Sequence, residues 1–319
     1  MTRKNQRFKI MALTALLAVG LSSGFNLSSN AKEQTKDSGE MARADGYSLH
    51  MSDLYARERV LSLKSVNNKS IYAYNRLHLY FNGAQSSVRS IVINSTLYIP
   101  LRQAASAIGG SYSYDSSAKT ARVKASGFNL TAGSGCYTVY ANDRALFSLD
   151  PVVIMSDGAM YIPIDIFAKA TGMRVSRQST SVSLTGSFRP IKSASLFYRE
   201  DEVFWLGRII EAESGGEPLL GKIAVGNVVM SRVRSSSYPN TIYGVIFDKK
   251  YGVQFSPVID GSIYNTPSYN SILAAKIVLD GFDVSEGALF FLRPEMSSSS
   301  WIPNNRRYLF SIGKHDFYS

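Results

Sequence analysis

The pattern of apolar and polar positions divides the chain into two parts. From about residue 71, short apolar segments alternate with polar positions, as where residues 77–81 are followed by Asn82-Gly83. Alternation with period two is typical of half-buried strands, and Asn-Gly is a strong hairpin signal. From Asp201 the apolar positions recur at helical spacing instead. They are Val203, Leu206, Ile209 and Ile210. The sequence therefore predicts a β-rich first part and a second part that begins with a helix.

The β-rich part contains an internal repeat. Pro100 and Pro163 end matching Tyr-Ile-Pro segments, and Gly109 and Gly172 end the apolar segments that follow; both pairs are separated by 63 positions. An offset shared by two unrelated landmarks indicates a duplicated unit. We predict two copies of one β-β-helix-β-β unit in residues 71–186.

This tandem pattern resembles the copper amine oxidase N-terminal domain, also called a stalk domain, which implies a binding or spacing role. The name does not imply copper here, because residues 71–186 contain one imidazole and one thiol, those of His78 and Cys136. A copper site needs more soft or imidazole ligands than these. We therefore expect no metal and no cofactor in this module.

Glu213 is the acidic residue that the helical pattern singles out. It lies seven positions after Leu206 on the apolar stripe, and Gly215-Gly216 ends the helix directly after it. A poorly solvated carboxyl group at the negative end of a helix dipole is disfavoured as an anion, so its pKa rises. A general acid that works near neutral pH needs such a pKa. A structural salt bridge at the helix end is the alternative that periodicity leaves open.

Further segments of the second part follow in a fixed order. They are Ile210-Glu-Ala-Glu-Ser-Gly-Gly-Glu-Pro218, Gly221-Lys-Ile-Ala-Val-Gly-Asn-Val-Val-Met-Ser-Arg-Val233, Tyr238-Pro-Asn-Thr-Ile-Tyr-Gly-Val-Ile246, Gln254-Phe-Ser-Pro-Val-Ile-Asp-Gly261, Gly287-Ala-Leu-Phe-Phe291, Trp301 and Ile312-Gly-Lys-His315. Across residues 203–318 these segments resemble the SleB/CwlJ-type cell-wall hydrolases, the spore-cortex-lytic enzymes and their relatives. Aligned on Gly-Glu-Pro, the family's essential acid falls on Glu213 and its second Glu on Glu217. The intervening residues differ from the family's Ala-Arg-Gly.

The resemblance implies a lysozyme-like, transglycosylase-like α+β catalytic domain that follows the β-rich tandem-repeat module. It implies cleavage of the peptidoglycan bond between N-acetylmuramic acid and N-acetylglucosamine, which leaves a 1,6-anhydro end. Ordinary glycosidases use two carboxylates. Attack by the sugar's own C6 hydroxyl needs only one, and it gains from proximity. Glu213 is then predicted to act first as the acid and afterwards as the base.

Two alternatives remain open at this stage. One is a catalytically inactive wall-binding protein, which the presence of Glu213 disfavours. The other is an amidase or peptidase, which is weakened because the three histidines are isolated and no His-Glu-x-x-His motif occurs.

Several other residues are candidates for supporting or substrate-binding roles. A loop is predicted around residues 254–256, where ligand-contacting groups tend to lie. The aromatic candidates offer flat surfaces for sugars, although a core role is favoured for Phe291, and Trp301 is expected to be exposed. Structural roles are equally open for Glu217 and His315, and Arg232, within a buried helix, is expected to meet an acidic partner. The candidates are Glu217, Gln254, Phe255, Ser256, Phe291, Trp301 and His315.

The start of the chain predicts export. A basic head, an apolar segment at residues 10–21 and Ser29-Asn30-Ala31 form the three parts of a secretory signal, predicted for residues 1–31. The apolar segment is shorter than the ~20 residues that span a bilayer. No membrane span is therefore expected after cleavage. A flexible spacer is predicted for residues 32–70, a linker for 187–200 and the catalytic domain for 201–319.

The charge of the chain favours anionic partners. Cleavage would remove four basic residues and no acid, so the net charge of +11 would fall to +7. Basic proteins are attracted to polyanions. For a secreted protein of the wall or spore envelope, the expected partners are peptidoglycan strands and anionic wall polymers rather than nucleic acid. A contribution of the charge to solubility alone is equally consistent.

Overall fold

The computed structural model describes residues 75–250, 252–297 and 300–319. The predicted signal peptide and spacer lie outside these residues. Within them, no helix has the length and apolar character that a membrane crossing requires. The described residues form two compact units, one ending at Arg199 and the other beginning at Glu200.

The first unit is built mainly from strands. Its elements are β1 (Asn75–Phe81), β2 (Ala84–Gln85), β3 (Ser90–Ile93), β4 (Thr96–Pro100), α1 (Leu101–Ala107), β5 (Ser111–Asp115), β6 (Thr120–Ala125), β7 (Phe128–Gly133), β8 (Thr138–Ala141), β9 (Arg144–Phe147), β10 (Val153–Ile154), β11 (Met160–Pro163), α2 (Ile164–Thr171), β12 (Arg174–Arg177), β13 (Ser181–Thr185) and α3 (Ala194–Phe197). One sheet has the order β10-β11-β4-β3-β1-β13-β12, with β2 paired to β1, and a second sheet runs β5 to β9.

The repeat is visible where its two copies meet. Pro100 and Pro163 directly precede α1 and α2, and Gly109 and Gly172 after these helices both have φ of +69°. Proline suits a helix start because the first N–H groups have no intrahelical partner. β4 and β11 pair antiparallel, and each proline faces a tyrosine of the other copy. Equivalent strands therefore form the junction between the copies.

Two hairpin turns add hydrogen bonds between the two copies of the repeat. Asn82 and Asn142 both have positive φ, as type I′ turns require. The Asn82 side chain accepts a bond from the backbone N–H of Gly186 at 2.8 Å, and the Asn142 side chain donates to the backbone carbonyl of Gly127 at 2.9 Å. Each asparagine therefore holds the glycine that follows a strand of the other copy.

The segment predicted as a linker packs against the first unit. The rings of Phe188 and Phe128 lie 5.6 Å apart, edge to face. The backbone N–H of Arg189 donates to the Thr171 carbonyl at 2.8 Å, and that of Ala194 donates to the Asn142 carbonyl at 2.9 Å. Residues 187–198 thus extend the module up to the boundary of the second unit.

The second unit combines helices with a small sheet. Its elements are α4 (Glu200–Ser214), α5 (Leu219–Arg234), α6 (Ile242–Ile246), α7 (Pro257–Asp260), a 3₁₀ turn (Ser262–Tyr264), α8 (Tyr269–Leu279), β14 (Phe290–Leu292), α9 (Trp301–Asn305), β15 (Tyr308–Ile312) and β16 (His315–Tyr318). The sheet has the antiparallel order β14-β16-β15. The α+β class predicted from the sequence is confirmed.

Glycines let the three long helices of this unit approach closely. A Cβ at Gly207 of α4 would lie 2.6 Å from Ile272 of α8, and one at Gly226 of α5 would lie 2.8 Å from Ile210 of α4. Neither space admits a larger residue without a shift of the neighbour. The close contact fixes the end of α4 against α5, which positions Glu213.

Candidate functional site

Glu213 lies in the last turn of α4, as the periodicity predicted. Leu206, Ile209 and Ile210 on the same stripe are fully buried, and the helix ends at Ser214. The Glu213 side chain is partly buried, and no hydrogen bond to its carboxyl group occurs among the described residues. Glu211, two positions earlier, is held differently. Its carboxylate accepts hydrogen bonds from the hydroxyls of Ser268 and Ser271 at 2.5 and 2.6 Å.

The two carboxyl groups differ in protonation for this reason. Burial raises the pKa of Glu213 from 4.5 to about 7, against an opposing effect of the Arg232 charge and with a further increase from the charge of Asp260. Burial also acts to raise the pKa of Glu211, but its hydrogen bonds outweigh this and hold that pKa below its usual value. At neutral pH Glu213 can both donate and accept a proton, whereas Glu211 is a fixed anion.

Arg232 of α5 is the cation that acts on Glu213. It is 5% exposed, and its Nε donates to the carbonyl of Leu289 at 2.8 Å. The guanidinium carbon lies 5.0 Å from the ring centre of Phe255, 5.2 Å from that of Tyr238 and 5.7 Å from that of Phe290. Phe255, predicted as a substrate-binding residue, is 3% exposed and forms one wall of this aromatic cage. The acidic partner expected for Arg232 is not found in direct contact among the described residues, and the charges of Glu213 and Asp248 act on Arg232 only through space.

Asp260, at the end of α7, is the anion that acts on Glu213. Its carboxylate accepts a hydrogen bond from the backbone N–H of Ser262 at 2.8 Å, and bonding to Ser262 holds its pKa below the usual range. Asp260 is therefore charged at neutral pH, and its negative charge opposes ionisation of Glu213. The opposite environments of the two groups match the pattern that separates an acid from a permanent carboxylate.

The predicted loop around residues 254–256 leads into α7. Gln254 is partly buried, and its Nε2 donates to the carbonyl of Gly252 at 3.1 Å. Ser256 is exposed and precedes α7, where its backbone carbonyl accepts from the N–H of Ile259 at 2.8 Å. Both residues flank Phe255, so the loop places them next to the aromatic cage of Arg232.

Glu217 and His315 form a separate cluster with Phe291. The side chains of Glu217 and His315 are 6% and 7% exposed, and Glu217 Oε1 lies 3.9 Å from His315 Nδ1. Glu217 Oε2 accepts the backbone N–H of Lys314 at 3.0 Å. The His315 ring meets Phe291 edge to face at 5.5 Å, and burial lowers the pKa of His315. The contacts of Glu217 thus tie the start of α5 to the β15–β16 turn.

Trp301 stands at the surface, as expected, with 42% of its area exposed. Its ring centre is 6.3 Å from that of Phe290, and Arg306 lies over both rings, at 5.2 and 4.5 Å. Because Phe290 also borders Arg232, Trp301 is connected to the aromatic cage through one ring. Trp301 and Phe290 thus form an aromatic row that leads from Arg232 to the surface, and Trp301 is its exposed member.

Sequence reasoning missed three residues of the site: Asp260, whose charge acts on Glu213, and Tyr238 and Phe290, whose rings lie beside the Arg232 guanidinium. Each lies inside a segment that carried the resemblance, but none shares an element with Glu213. The fold brings these distant segments together, and no local spacing along the sequence indicates this. No group of three or more potential metal ligands is found in the described part of the chain.

The arrangement defines a domain in which Glu213 has a raised pKa, the Asp260 carboxylate acts on it, and Trp301 offers an exposed aromatic surface. Comparison with known proteins matches residues 216–318 to the cell wall hydrolase family and residues 80–185 to the copper amine oxidase N-terminal domain. The first match begins three residues after Glu213 and includes Glu217 and His315.

Individual relatives are similar over the second unit. A spore cortex-lytic enzyme of Bacillus cereus is 38% identical over 120 residues, covering 38% of this chain and 45% of that protein. The enzyme of the same name from Bacillus subtilis is 33% identical, covering 38% of both chains. The solved catalytic domain of the germination-specific lytic transglycosylase SleB from Bacillus anthracis is 37% identical, with 38% of this chain and 97% of that chain covered and a TM-score of 0.35.

The second unit is accordingly a cell wall hydrolase domain. The chain therefore carries a cell wall hydrolase domain over residues 216–318 and matches the copper amine oxidase N-terminal domain over residues 80–185 of its first unit. The chain spans less than half the length of these two curated relatives.

The contact of Glu217 with the hairpin turn predicts a sensitive glycine. Gly313 has φ of +60°, and a Cβ there would overlap Oε2 of Glu217, whereas Gly287 has φ of +78° and open space around it. We expect Gly287→Ala to cost about 1 kcal/mol through backbone strain. Gly313→Ala should cost about 3 kcal/mol, since it also displaces a buried, hydrogen-bonded carboxylate. Urea unfolding of the two variants measures the difference, and equal losses would contradict the contact.

The charge of Asp260 predicts a shift at Glu213 that is independent of any activity. Asp260→Asn removes a negative charge that opposes ionisation, so the pKa of Glu213 should fall below that of the parent protein. Carbon-detected NMR titration of the glutamate carboxyl groups measures it. Glu295→Gln, at an exposed position of the same unit, serves as the charge-matched control. An unchanged or higher pKa in Asp260→Asn would show that the two groups do not interact.

Proposed function

We propose that this protein cleaves peptidoglycan glycan strands as a lytic transglycosylase, with Glu213 as general acid and then general base. The proposal rests on the position of Glu213 in the last turn of α4, on the helix whose apolar stripe is buried, where burial raises its pKa to about 7. A catalytic group of this kind is most effective when its pKa lies near the working pH. The names of the relatives, spore cortex-lytic enzyme and lytic transglycosylase, support the same substrate class.

The reaction uses one carboxyl group twice. Protonated Glu213 gives its proton to the oxygen between N-acetylmuramic acid and N-acetylglucosamine, and the C1–O bond breaks with its electron pair on that oxygen. The C6 hydroxyl of the muramic residue bonds to C1 and returns its proton to Glu213. The product has a 1,6-anhydro end, and the enzyme is restored without water or a cofactor. Attack within one sugar gains from proximity.

Trp301 supplies the surface on which a sugar can rest. Its exposed ring belongs to the row that runs through Phe290 to the Arg232 cage. Aromatic rings combine a large apolar face with a polar edge, which suits partly hydrated ligands. A glycan strand bound along this row would lie next to the cage of Arg232, the cation whose charge acts on Glu213. We also propose that the protein acts in the wall or spore envelope after export.

Product analysis with matched variants tests the catalytic role. Wild-type protein is expected to release anhydromuropeptides from purified peptidoglycan, as identified by mass spectrometry. Glu213→Gln should lower the rate at least about 100-fold because the substituted amide cannot transfer a proton. Glu295→Gln, which removes an exposed carboxylate, should retain the parent rate.

Each other outcome of this experiment points to a different function. Reducing muramic ends would show hydrolysis, in which water replaces the C6 hydroxyl. Release of fragments by Glu213→Gln at the parent rate would remove Glu213 from the mechanism. No release by any form would favour a wall-binding protein without activity.

We further propose that the first unit binds anionic wall polymers. Residues 75–199 contain 13 Lys and Arg against five Asp and Glu, a net charge of +8, whereas residues 200–319 contain 11 against 13, a net charge of −2. The positive charge of the described chain therefore lies in the first unit. Polyanions are attracted to such a surface.

One edge of the first unit concentrates suitable groups. Arg174 and Arg177 are exposed on β12, the edge strand of the larger sheet. A cavity of about 300 Å³ beside them is lined by Gly172, Arg174, Thr185, Gly186, Ser187 and Arg189, with no carboxylate among these residues. Guanidinium and hydroxyl groups are donors suited to phosphate oxygens.

Binding to cell walls tests this role. The double variant Arg174→Gln/Arg189→Gln should weaken binding to phosphate-bearing walls roughly 30-fold at low salt, at about 1 kcal/mol per cation. Walls stripped of phosphodiester polymers should bind both proteins equally weakly. The control Arg122→Gln/Lys124→Gln removes the same charge from exposed positions of β6 in the other sheet. An equal loss in both double variants would indicate net charge without a local site.

A further inference from the structure

Arg232 leaves one hydrogen-bond donor unused inside the protein. Its Nε is bonded to the Leu289 carbonyl and three rings surround the guanidinium, but Nη1 is buried and has no hydrogen-bond partner in the described part of the chain. A buried donor without an acceptor costs about 1–3 kcal/mol, and more when charged. Such a group calls for an explanation in terms of function.

The helix geometry directs Arg232 and Glu213 towards each other. α4 and α5 are antiparallel neighbours, since Lys222 Nζ of α5 donates to the Ser214 carbonyl at 3.0 Å and Gly226 lies against Ile210. Side chains on a helix lean towards its own N-terminus. On antiparallel helices two such side chains lean in opposite directions, so Glu213 and Arg232 each lean towards the middle of the contact between α4 and α5, and the charge of each group acts on the pKa of the other.

Other charges near this pair are few. Asp260 faces Glu213, while Asp248 and the phenol of Tyr238 face Arg232. No ion pair within 4.0 Å joins Arg232 to an acidic group among the described residues. The guanidinium therefore remains unneutralised by direct contact while Glu213 holds its proton.

We propose that Arg232 is a positioning residue, whose Nη1 receives the Glu213 carboxylate once the proton has passed to the glycosidic oxygen. This rests on the proposed function, because it assigns a partner to the anion formed in that reaction. The proton goes from Glu213 to the leaving oxygen, the Nη1 N–H then donates to the carboxylate, and the C6 hydroxyl proton finally restores the neutral acid. Arg232 keeps its own protons throughout.

A hydrogen bond from Arg232 to ionised Glu213 would speed the reaction and not tighten substrate binding. Neutral Glu213 in the resting protein gains little from Arg232, whereas the carboxylate formed during proton transfer gains a charged hydrogen bond. Interactions that strengthen only as the transition state develops raise kcat and leave KM largely unchanged. The aromatic cage holds the guanidinium in place by its faces, which leaves the N–H edge free for this use.

Two substitutions separate this role from a purely structural one. Arg232→Met keeps an apolar stem of similar length but removes the cation, and Arg232→Lys keeps a cation without the guanidinium N–H groups. Arg234→Gln is the control, since Arg234 lies on the same helix but is exposed and pairs with Asp283 at 2.9 Å. Rates on peptidoglycan are measured across pH for all three variants.

The expected result has two parts. Arg232→Met should lower kcat roughly 100-fold, as the loss of one charge-stabilising donor does in other enzymes, with KM within about threefold. The alkaline limb of its kcat/KM profile should move to higher pH, because Arg232 favours the ionised form of Glu213. Arg232→Lys should leave this limb closer to the parent position with an intermediate kcat.

A loss of activity in folded Arg232→Met without movement of the alkaline limb would overturn the proposal and leave Arg232 structural. If Arg232→Met does not fold, the Lys variant decides, because a parent kcat there would remove any need for Nη1. Failure of the proposed function is distinct: Glu213→Gln would then remain active. An inactive Glu213→Gln beside unaltered Arg232 variants rejects only this inference.

Discussion

The partial burial of the Glu213 carboxyl group is the constraint on which the proposed chemistry of the second unit depends. Glu213 occupies the last turn of a helix whose apolar stripe is fully buried, and the glycine contact between α4 and α5 keeps it there. Desolvation raises the pKa, the Arg232 charge limits the rise and Asp260 adds to it. The balance of these three effects sets a pKa of about 7, at which the group can give and regain a proton.

Neighbouring acids show how closely the environment decides the role. Glu211, Glu213 and Glu217 lie within seven residues. Glu211 is fixed as an anion by two serine hydroxyls, and Glu217 is used to hold the β15–β16 turn. Only Glu213 lacks hydrogen bonds to the described residues while facing a caged cation. Glu213 is therefore suited to proton transfer because it lacks hydrogen-bond partners in the described part of the chain, whereas hydrogen bonds give Glu211 and Glu217 structural roles.

Sequence patterns predicted the parts of this arrangement that depend on local periodicity. The stripe through Leu206 identified the orientation of Glu213, and the shared offset of the prolines and glycines identified the repeat. Local patterns could not predict contacts between segments that are distant in the sequence. Asp260 acts on Glu213, and Tyr238 lies beside Arg232, from segments distant in sequence. Residues 187–198 pack on the module through backbone hydrogen bonds that composition does not indicate. The net charge of each unit could be counted only after the structure had located the boundary between Arg199 and Glu200.

The central claim concerns the protonation of one side chain, and an NMR titration of the wild-type protein tests it most directly. Selective labelling of glutamate carboxyl carbons, with Glu213→Gln used to assign the signal, gives the pKa of Glu213 itself. A midpoint near pH 7 is the predicted result. A midpoint near 4.5, the ordinary value for glutamate, would contradict the account, because Glu213 would then be an anion at neutral pH with no proton to deliver.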